Sequence, residues 1–288
     1  MGETRVSERE RHEAPELVSV VVPTRDTART IERCLASIRA QTHPAIELIV
    51  VDNWSQDGTW ETARRLADAA VQAGTERAAQ RNLGIERAGG EWVLWIDADM
   101  ELPPEVVERA LAAAHTAGAV GVFIPEATTG SGFWTACRAL ERRCYHGEPR
   151  IEAPRLLRTS ELRDLGGFDE HLAGTEDAEL RTRLLARGAP LAWADTLILH
   201  HEGRLTLSGV ARKRFYYGKG IPAYRHAHPG AVSGQLGATL AAFWRHRRLL
   251  AADPPHAAGV IVLRTWEAAA YAAGAAAGAS ARGKLARP

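Results

Sequence analysis

Three short apolar runs, each followed at once by a polar turn, constrain this chain more than any other feature. Residues 17–22 read LVSVVV before Pro23-Thr24, residues 46–51 read IELIVV before Asp52-Asn53, and residues 92–96 read WVLWI before Asp97-Ala98-Asp99. Runs this short, rich in β-branched residues and without polar alternation, suit strands buried on both faces. Between them the period changes. Ile31, Leu35 and Ile38 fall on one helical face that His43-Pro44 closes. Ala63, Leu66 and Ala67 follow Ser55 and Asp57, either of which suits a helix cap, and residues 80–88 read as a helix that Gly89-Gly90 stops. A brief strand is expected near residues 70–72. Strands and helices in this alternation predict a mostly parallel sheet with right-handed crossovers and helices on its faces. Ligands bind such sheets beyond the carboxyl ends of the strands, where the polar turns stand.

The pattern continues downstream. Pro103-Pro104 opens a helix with Val107, Ala110, Leu111 and Ala114 on one side, and residues 119–124 read as a strand. Residues 176–186 suit a helix ended by Gly188, and residues 191–199 are expected to form the last core strand. A chain of 288 residues, 45% hydrophobic, can bury one large core and a smaller annex. The expected division is a disordered leader over 1–16, an α/β domain over 17–205 and a helical, basic C-terminal extension over 206–288.

Charge and cysteine usage narrow the function classes. A net charge of +1 lacks the electrostatic footprint of a nucleic-acid binder. Cys34, Cys137 and Cys144 form no metal-type pair, and three cysteines with no secretion signal suit a reducing cytosol better than a disulfide framework. No run of about 18 apolar residues appears. The nearest approach, residues 259–280, carries a small-xxx-small pair at Gly274 and Gly278 but is interrupted by Arg264 and Glu267. Each such charge costs about 2.5 to 3.5 kcal/mol at a bilayer centre, so a soluble or surface-lying helix is expected.

The candidate chemistry lies at the strand tips and in one later segment. Asp97 and Asp99 put two carboxylates on a tight turn, suited to a hard divalent cation that also takes phosphate oxygens; a solvated acidic turn is the plainer reading. Asp52 at a strand end suits a base edge or ribose hydroxyl, whereas Asp57 is better read as a cap. Arg81, beside Asn82 in AAQRNLG, offers a planar fork to a pyrophosphate or pyrimidine edge, or else a surface ion pair. Residues 166–188 combine a Gly166-Gly167 turn with the acidic pair Glu176-Asp177 at the start of a helix. Those carboxylates suit capping, and equally a general base for an acceptor hydroxyl. His200 and His201 end a strand, and alternation sends their rings to opposite faces, so one alone suits a metal held by Asp99; His200 is preferred.

Over residues 201–250 the charge is one-sided: nine lysines and arginines stand against the single acid Glu202. With Phe215, Tyr216, Tyr217, Phe243 and Trp244 interleaved, this segment suits anionic lipid head groups, a phosphorylated acceptor or a donor diphosphate, or simply a solvated basic face.

Taken together, VSVVVPTRD, IELIVVDNWSQDGT, ERAAQRNLGIERAGGEWVLWIDADM, and GGFDE followed by TED resemble the inverting glycosyltransferases of family 2, which have the GT-A fold. The resemblance covers about residues 17–205. It implies that Pro23, Thr24, Asp52 and Arg81 hold the nucleotide, that Asp97 and Asp99 engage ribose and a divalent metal (Mn2+ or Mg2+), and that Asp177 deprotonates the acceptor. Within LILHHEGR, His200 looks like the histidine ligand of many members, with the doubled His201 leaving that assignment open; Asp26 stands where Asn is frequent. Glu176 and Gly167 are further candidates. The implied partners are a nucleotide-sugar donor, with UDP as default base, and a lipid-linked, saccharide or small natural-product acceptor. Cysteine usage and the basic aromatic segment, for their part, lead to the expectation of a cytosolic protein with peripheral contact at the inner face of the membrane. Two other classes use similar parts. A sugar-phosphate nucleotidyltransferase would want a Gly-rich phosphate loop, which PTRDTARTI lacks, and a non-catalytic nucleotide-sugar-binding protein would lack a catalytic carboxylate, which this chain retains.

Overall fold

The computed structural model describes residues 14–172 and 174–285. The leader expected over 1–16 therefore lies, but for residues 14–16, outside the described residues. In chain order the elements are β1 (Val18–Thr24), α1 (Ile31–Arg39), β2 (Ile46–Asp52), α2 (Thr59–Leu66), β3 (Ala69–Gln72), α3 (Arg77–Arg87), β4 (Trp92–Trp95), β5 (Met100–Glu101) and α4 (Val106–Ala117). There follow β6 (Gly121–Phe123), β7 (Glu126–Gly130), α5 (Phe133–Tyr145), β8 (Pro154–Arg158), α6 (Thr159–Asp164), α7 (Glu176–Ala186), β9 (Leu191–Trp193) and β10 (Ile198–Gly203). Helices α8 (Leu207–Gly218), α9 (Ile221–Ala227), α10 (Ala231–Arg245), α11 (Arg247–Ala251) and α12 (Pro254–Leu285) complete the described residues.

The main sheet has seven strands in the order β3-β2-β1-β4-β8-β6-β9, and only β8 runs against its neighbours. Successive residues of the central strands feed opposite faces, which is why their sequences are apolar throughout. Val20, Val22, Leu48, Val50, Leu94 and Ile96 pack beneath α1 and α4. Val21, Ile49, Val51, Val93 and Trp95 pack on the other side against α3, α6 and α7. Gly84 lets α3 lie against β1, since a Cβ there would sit 2.3 Å from Val21 Cγ1. The strand order reverses about β1, so the tips of β1, β2 and β4 open on one crevice. This is the GT-A type of α/β fold, with a mostly parallel sheet and a helical C-terminal region.

Residues 191–199 differ from the expected single strand. Ala194 N donates to Phe123 O at 3.0 Å as β9 leaves the main sheet, the chain turns through exposed Asp195, and Ile198 N donates to Pro125 O at 2.8 Å. From there β10 runs between β5 and β7 in a separate three-stranded sheet that carries His200 and His201 towards the β4 tip.

The C-terminal helices rest on α5 through Cys137, Leu140, Val210, Val260 and Leu263. The small-xxx-small stripe of α12 faces α8 of the same chain. A Cβ at Gly274 would meet Phe215 O at 2.1 Å, and one at Gly278 would meet Lys219 O at 2.5 Å. The charges that interrupt α12 are also used internally: Glu267, 1% exposed, pairs with Arg138, with Arg214 Nε at 2.7 Å and with Arg264 Nη1 at 3.2 Å. Among the described residues no helix is long and apolar enough to cross a membrane.

Candidate active site

The turn after β4 is closed by Met100 N donating to Asp97 O at 3.0 Å, which brings both aspartates of the turn out at the crevice. Asp97 Oδ1 accepts from Arg81 Nη2 at 2.7 Å, and its Oδ2 lies 3.9 Å from Arg77 Nη1. Burial alone would favour the neutral acid, but Arg81 and Arg77 outweigh it and hold the Asp97 carboxyl well below the usual carboxylate range.

Arg81 faces inward. Its side chain is fully buried, its guanidinium stacks over Trp95 at 4.3 Å, and Nη1 binds Asp177 Oδ1 and, at 3.4 Å, Glu176 Oε1. Its two Nη groups thus bind three carboxylates, while Nε is buried without a partner. One guanidinium joins the β4 tip to the head of α7. Glu176 is buried, and desolvation together with Asp177 raises its pKa; Asp177 is one-third exposed and opens onto a chamber.

Gly167 lines neither the cleft beside Asp97 and Asp99 nor the chamber beside Asp177. At φ +70° it leaves room for Asn82, whose Oδ1 would lie 2.4 Å from an added Cβ. Asn82 in turn grips Phe168 through both its backbone N–H (2.8 Å) and its carbonyl (2.9 Å), fixing the loop ahead of the acidic pair.

Of the two histidines, His200 faces Asp99, with Nε2 3.4 Å from Oδ2. Its Nδ1 donates to Glu126 Oε2 at 2.9 Å, so the ring is oriented with Nε2 towards the aspartate. His201 points to the opposite face, where Nε2 meets Glu101 at 2.7 Å and Nδ1 meets Thr129 Oγ1 at 2.7 Å. Among the described residues no group of three or more His, Cys, Asp or Glu side chains is arranged to hold an ion. One carboxylate and one oriented imidazole nevertheless fit a hard cation that keeps waters and takes phosphate oxygens as its remaining ligands.

A cleft of about 930 Å3 runs from Pro23, Thr24, Arg25 and Asp26 across Asp97 and Asp99 to His200. Asp52 lies beneath it. Fully buried, its carboxylate accepts from Ser55 N at 3.0 Å, from Ser55 Oγ and from Gln72 Nε2 at 3.0 Å. Ser55 Oγ in turn accepts from Asp26 N at 2.8 Å, so Asp52 braces the turn that borders the cleft.

A chamber of about 350 Å3 adjoins the cleft, with Arg77, Asp97, His200 and Lys213 lining both, and Asp177 opens into it. Arg77 was not singled out by sequence. It lies one helical turn before Arg81, and its Nη2 reaches Glu176 at 3.2 Å and Tyr217 Oη at 3.0 Å. The i, i+4 spacing of two arginines on one short helix was the signal that could have found it.

A family model described as "Glycosyl transferase family 2" matches residues 19–163, half of the chain. Among curated proteins, the chain is 28% identical over 222 residues to glycosyltransferase AglE of Haloferax volcanii, covering 70% of this chain and 72% of that protein. It is 27% identical over 249 residues to succinoglycan biosynthesis protein ExoA of Rhizobium meliloti, covering 74% of each. It is 29% identical to the pre-mycofactocin glycosyltransferase of Mycobacterium tuberculosis, of which it spans 50%. Among solved structures, the mannosyltransferase PcManGT of Pyrobaculum calidifontis, in complex with GDP-Man and Mn2+, superposes with a TM-score of 0.61 at 22% identity over 91% of this chain and 87% of that one. TarS of S. aureus superposes with a TM-score of 0.54 at 21% identity over 70% of this chain and 39% of that one.

Proposed function

Because this chain belongs to glycosyl transferase family 2 and is a glycosyltransferase, we propose that it moves a sugar from a nucleotide-sugar, by default a UDP-sugar, to an acceptor hydroxyl with inversion at the anomeric carbon. The observation that carries this reading is the convergence of Asp97, Asp99 and His200 with Asp177 across one continuous cleft and chamber.

Asp177 takes the proton of the attacking hydroxyl as its oxygen bonds to the anomeric carbon and the bond from that carbon to the diphosphate breaks. Arg81 is a positioning residue: it aims the Asp177 carboxylate and sets its distance from Asp97. Glu176, buried behind the base, anchors Arg77 and Arg81. Pro23 and Thr24 border the nucleotide, Asp97 faces the ribose, and Asp52 acts from below by holding the Ser55 turn. Asp99 and His200 would hold Mn2+ or Mg2+, which when bound offsets the charge building on the departing diphosphate. Gly167 and His201 serve as structural supports to this site.

The compartment proposed is the cytosol, with peripheral contact at the inner face of the membrane. Three buried free cysteines suit a reducing compartment. Leu236, Leu240 and Trp244 form an exposed stripe on α10 beside Arg245, Arg247 and Arg248, which suits an anionic interface. The reading is tested by incubating the protein with UDP- and GDP-sugars, with and without Mn2+. Slow metal-dependent donor hydrolysis is expected, and none with any donor in the panel would sink it.

A further inference from the structure

The cleft and the chamber meet at Arg77, Asp97, His200, Glu202 and Lys213, each of which lines both. Four of these side chains are committed within the protein. Asp97 accepts from Arg81 at 2.7 Å, and Arg77 reaches Glu176 at 3.2 Å and the Tyr217 hydroxyl at 3.0 Å. His200 lies between Asp99 and Glu126, and Glu202 accepts from Thr128 Oγ1 at 2.9 Å. Lys213 is the exception. Among the described residues its side chain makes no hydrogen bond and no ion pair, and its ammonium faces the Tyr217 ring with 5.9 Å to the centroid. Although the side chain keeps open surface, the protein around it lowers the pKa of the ammonium; Glu202 and then Asp99 oppose this, neither within ion-pair distance.

Helix α8 fixes Lys213 at this junction. Thr206 caps the helix by accepting from Gly209 N at 3.2 Å, and Arg214, the next residue after Lys213, ties it to Glu267 of α12 at 2.7 Å. Gly218 lets the two helices touch, since a Cβ there would meet Tyr271 O at 2.5 Å. Of the nine lysines and arginines between residues 201 and 250, Lys213 alone lines both cavities. Arg204 reaches the cleft only, Arg214 the chamber only, and Arg212 neither. An ammonium is a compact point charge with three donors, and here all three are left for a ligand. With the nucleotide in the cleft and the base in the chamber, the junction between them is where the bond from sugar to diphosphate breaks.

We propose that Lys213 is a further catalytic residue, its ammonium hydrogen-bonding the sugar-bearing phosphate of the donor, which becomes the terminal phosphate of the nucleoside diphosphate. The assignment rests on the nucleotide-sugar reading of the cleft. As the acceptor oxygen bonds to the anomeric carbon, the electron pair of the breaking carbon–oxygen bond stays on that phosphate, and Asp177 takes the acceptor's proton. Lys213 meets the new charge while keeping its own proton. The catalytic unit thus runs into α8, beyond residue 163 where the family match ends and beyond the α/β domain expected over 17–205.

Isothermal titration calorimetry of the full chain with UDP and GDP, each compared with its monophosphate at one fixed Mn2+ concentration, tests this. Lys213→Gln should weaken the diphosphate that the protein binds by about tenfold or more, as for the loss of a charge-assisted hydrogen bond. The corresponding monophosphate, which lacks the group Lys213 holds, should be unaffected. Lys213→Arg keeps a charge at the junction and should recover most of the loss. Arg212→Gln removes the same charge one residue away and should leave both nucleotides unchanged. Melting curves establish that the variants are folded, and Lys213→Met, which keeps the aliphatic stem, repeats the measurement should the amide disturb α8. An unchanged diphosphate affinity in the folded variant would overturn the assignment, as would an equal loss for monophosphate and diphosphate or a loss of the same size in Arg212→Gln. Binding of neither diphosphate by the unaltered protein would remove the nucleotide-sugar reading and Lys213 with it, so the two failures are told apart.

Discussion

Arg81 Nη2 lies 2.7 Å from Asp97 Oδ1, and the same guanidinium holds Asp177 on its other side, so one buried cation sets the separation between the strand-tip acid and the proposed base. Removing it takes from Asp177 its ion-pair partner and leaves Asp97 and Glu176 to share Arg77. Breaking such a buried pair costs about 3 to 5 kcal/mol, a large share of a domain's stability. Arg81→Met should therefore lower Tm markedly and abolish transfer, and Arg81→Lys, without the fork to span both acids, should retain more stability than activity. Calorimetric melting alongside a donor-hydrolysis assay checks this; a soluble, active Arg81→Met variant would contradict the positioning role.

Asp177→Asn keeps the shape of the side chain and removes its ability to accept a proton. Loss of a general base costs about 10^2 to 10^4 in rate. Transfer should fall by that order while nucleotide affinity, measured by titration of UDP, stays nearly constant, because Asp177 opens onto the chamber rather than the nucleotide cleft. Weakened UDP binding with retained turnover would reverse the assignment.

The strand tips were legible because they are local: an apolar run and the polar turn after it are contiguous, so β1, β2 and β4 and the crevice they border follow from short stretches of sequence. The direction of Arg81 was not legible, because its partner Asp177 is 96 residues away and only the folded chain shows that it faces inward. Asp52 was recognised as a strand-end carboxylate, but its donors come from its own turn and from Gln72 on β3. The split of residues 191–199 between two sheets escaped periodicity, since both halves are short and apolar. Gly274 and Gly278 were visible as a packing stripe, whereas the surface they pack on, α8, was not.

The proposed cation site makes a prediction that discriminates between two adjacent histidines. His200→Ala should weaken Mn2+ binding, read by electron paramagnetic resonance of free Mn2+, whereas His201→Ala should leave it unchanged because that ring is engaged by Glu101 and Thr129 on the other face. Glu126→Gln, which removes the charge that orients His200 and that also pairs with Arg142 and Arg155, should weaken binding by about 10- to 100-fold. Equal effects of the two histidine variants would remove His200 from the ligand set.

Acid should loosen the C-terminal helices from α5. Burial opposes the charged form of Glu267, but Arg214, Arg138 and Arg264 outweigh it and hold its pKa down at about 2. A folded-state pKa below the unfolded value means the stabilisation is complete above about pH 4.5 and is lost as pH falls through about 2. Glu267→Gln should remove this part of the acid response and lower Tm at neutral pH, since three arginines would then share one buried acid fewer. Melting curves between pH 6 and 2 for both proteins, at about constant ionic strength to hold screening fixed, provide the measurement, and coincident pH profiles would refute the role given to Glu267.

The α10 stripe separates membrane contact from ordinary surface exposure. Leu236, Leu240 and Trp244 are 60%, 62% and 72% exposed at successive i, i+4 positions, and Arg247 stacks on Trp244 at 5.1 Å to the ring centroid. Each basic residue near an anionic bilayer contributes about 1 kcal/mol, and this term fades within a Debye length. Co-sedimentation with vesicles containing anionic lipid should therefore be strong at low salt and weak at high salt, and absent for vesicles of neutral lipid alone. Leu240→Glu together with Trp244→Ala should abolish it while leaving donor hydrolysis intact, since neither side chain lines the cleft or the chamber. Binding that ignored lipid charge and survived both substitutions would place the contact elsewhere or dismiss it, and a solvated basic face would then be the correct account of this segment.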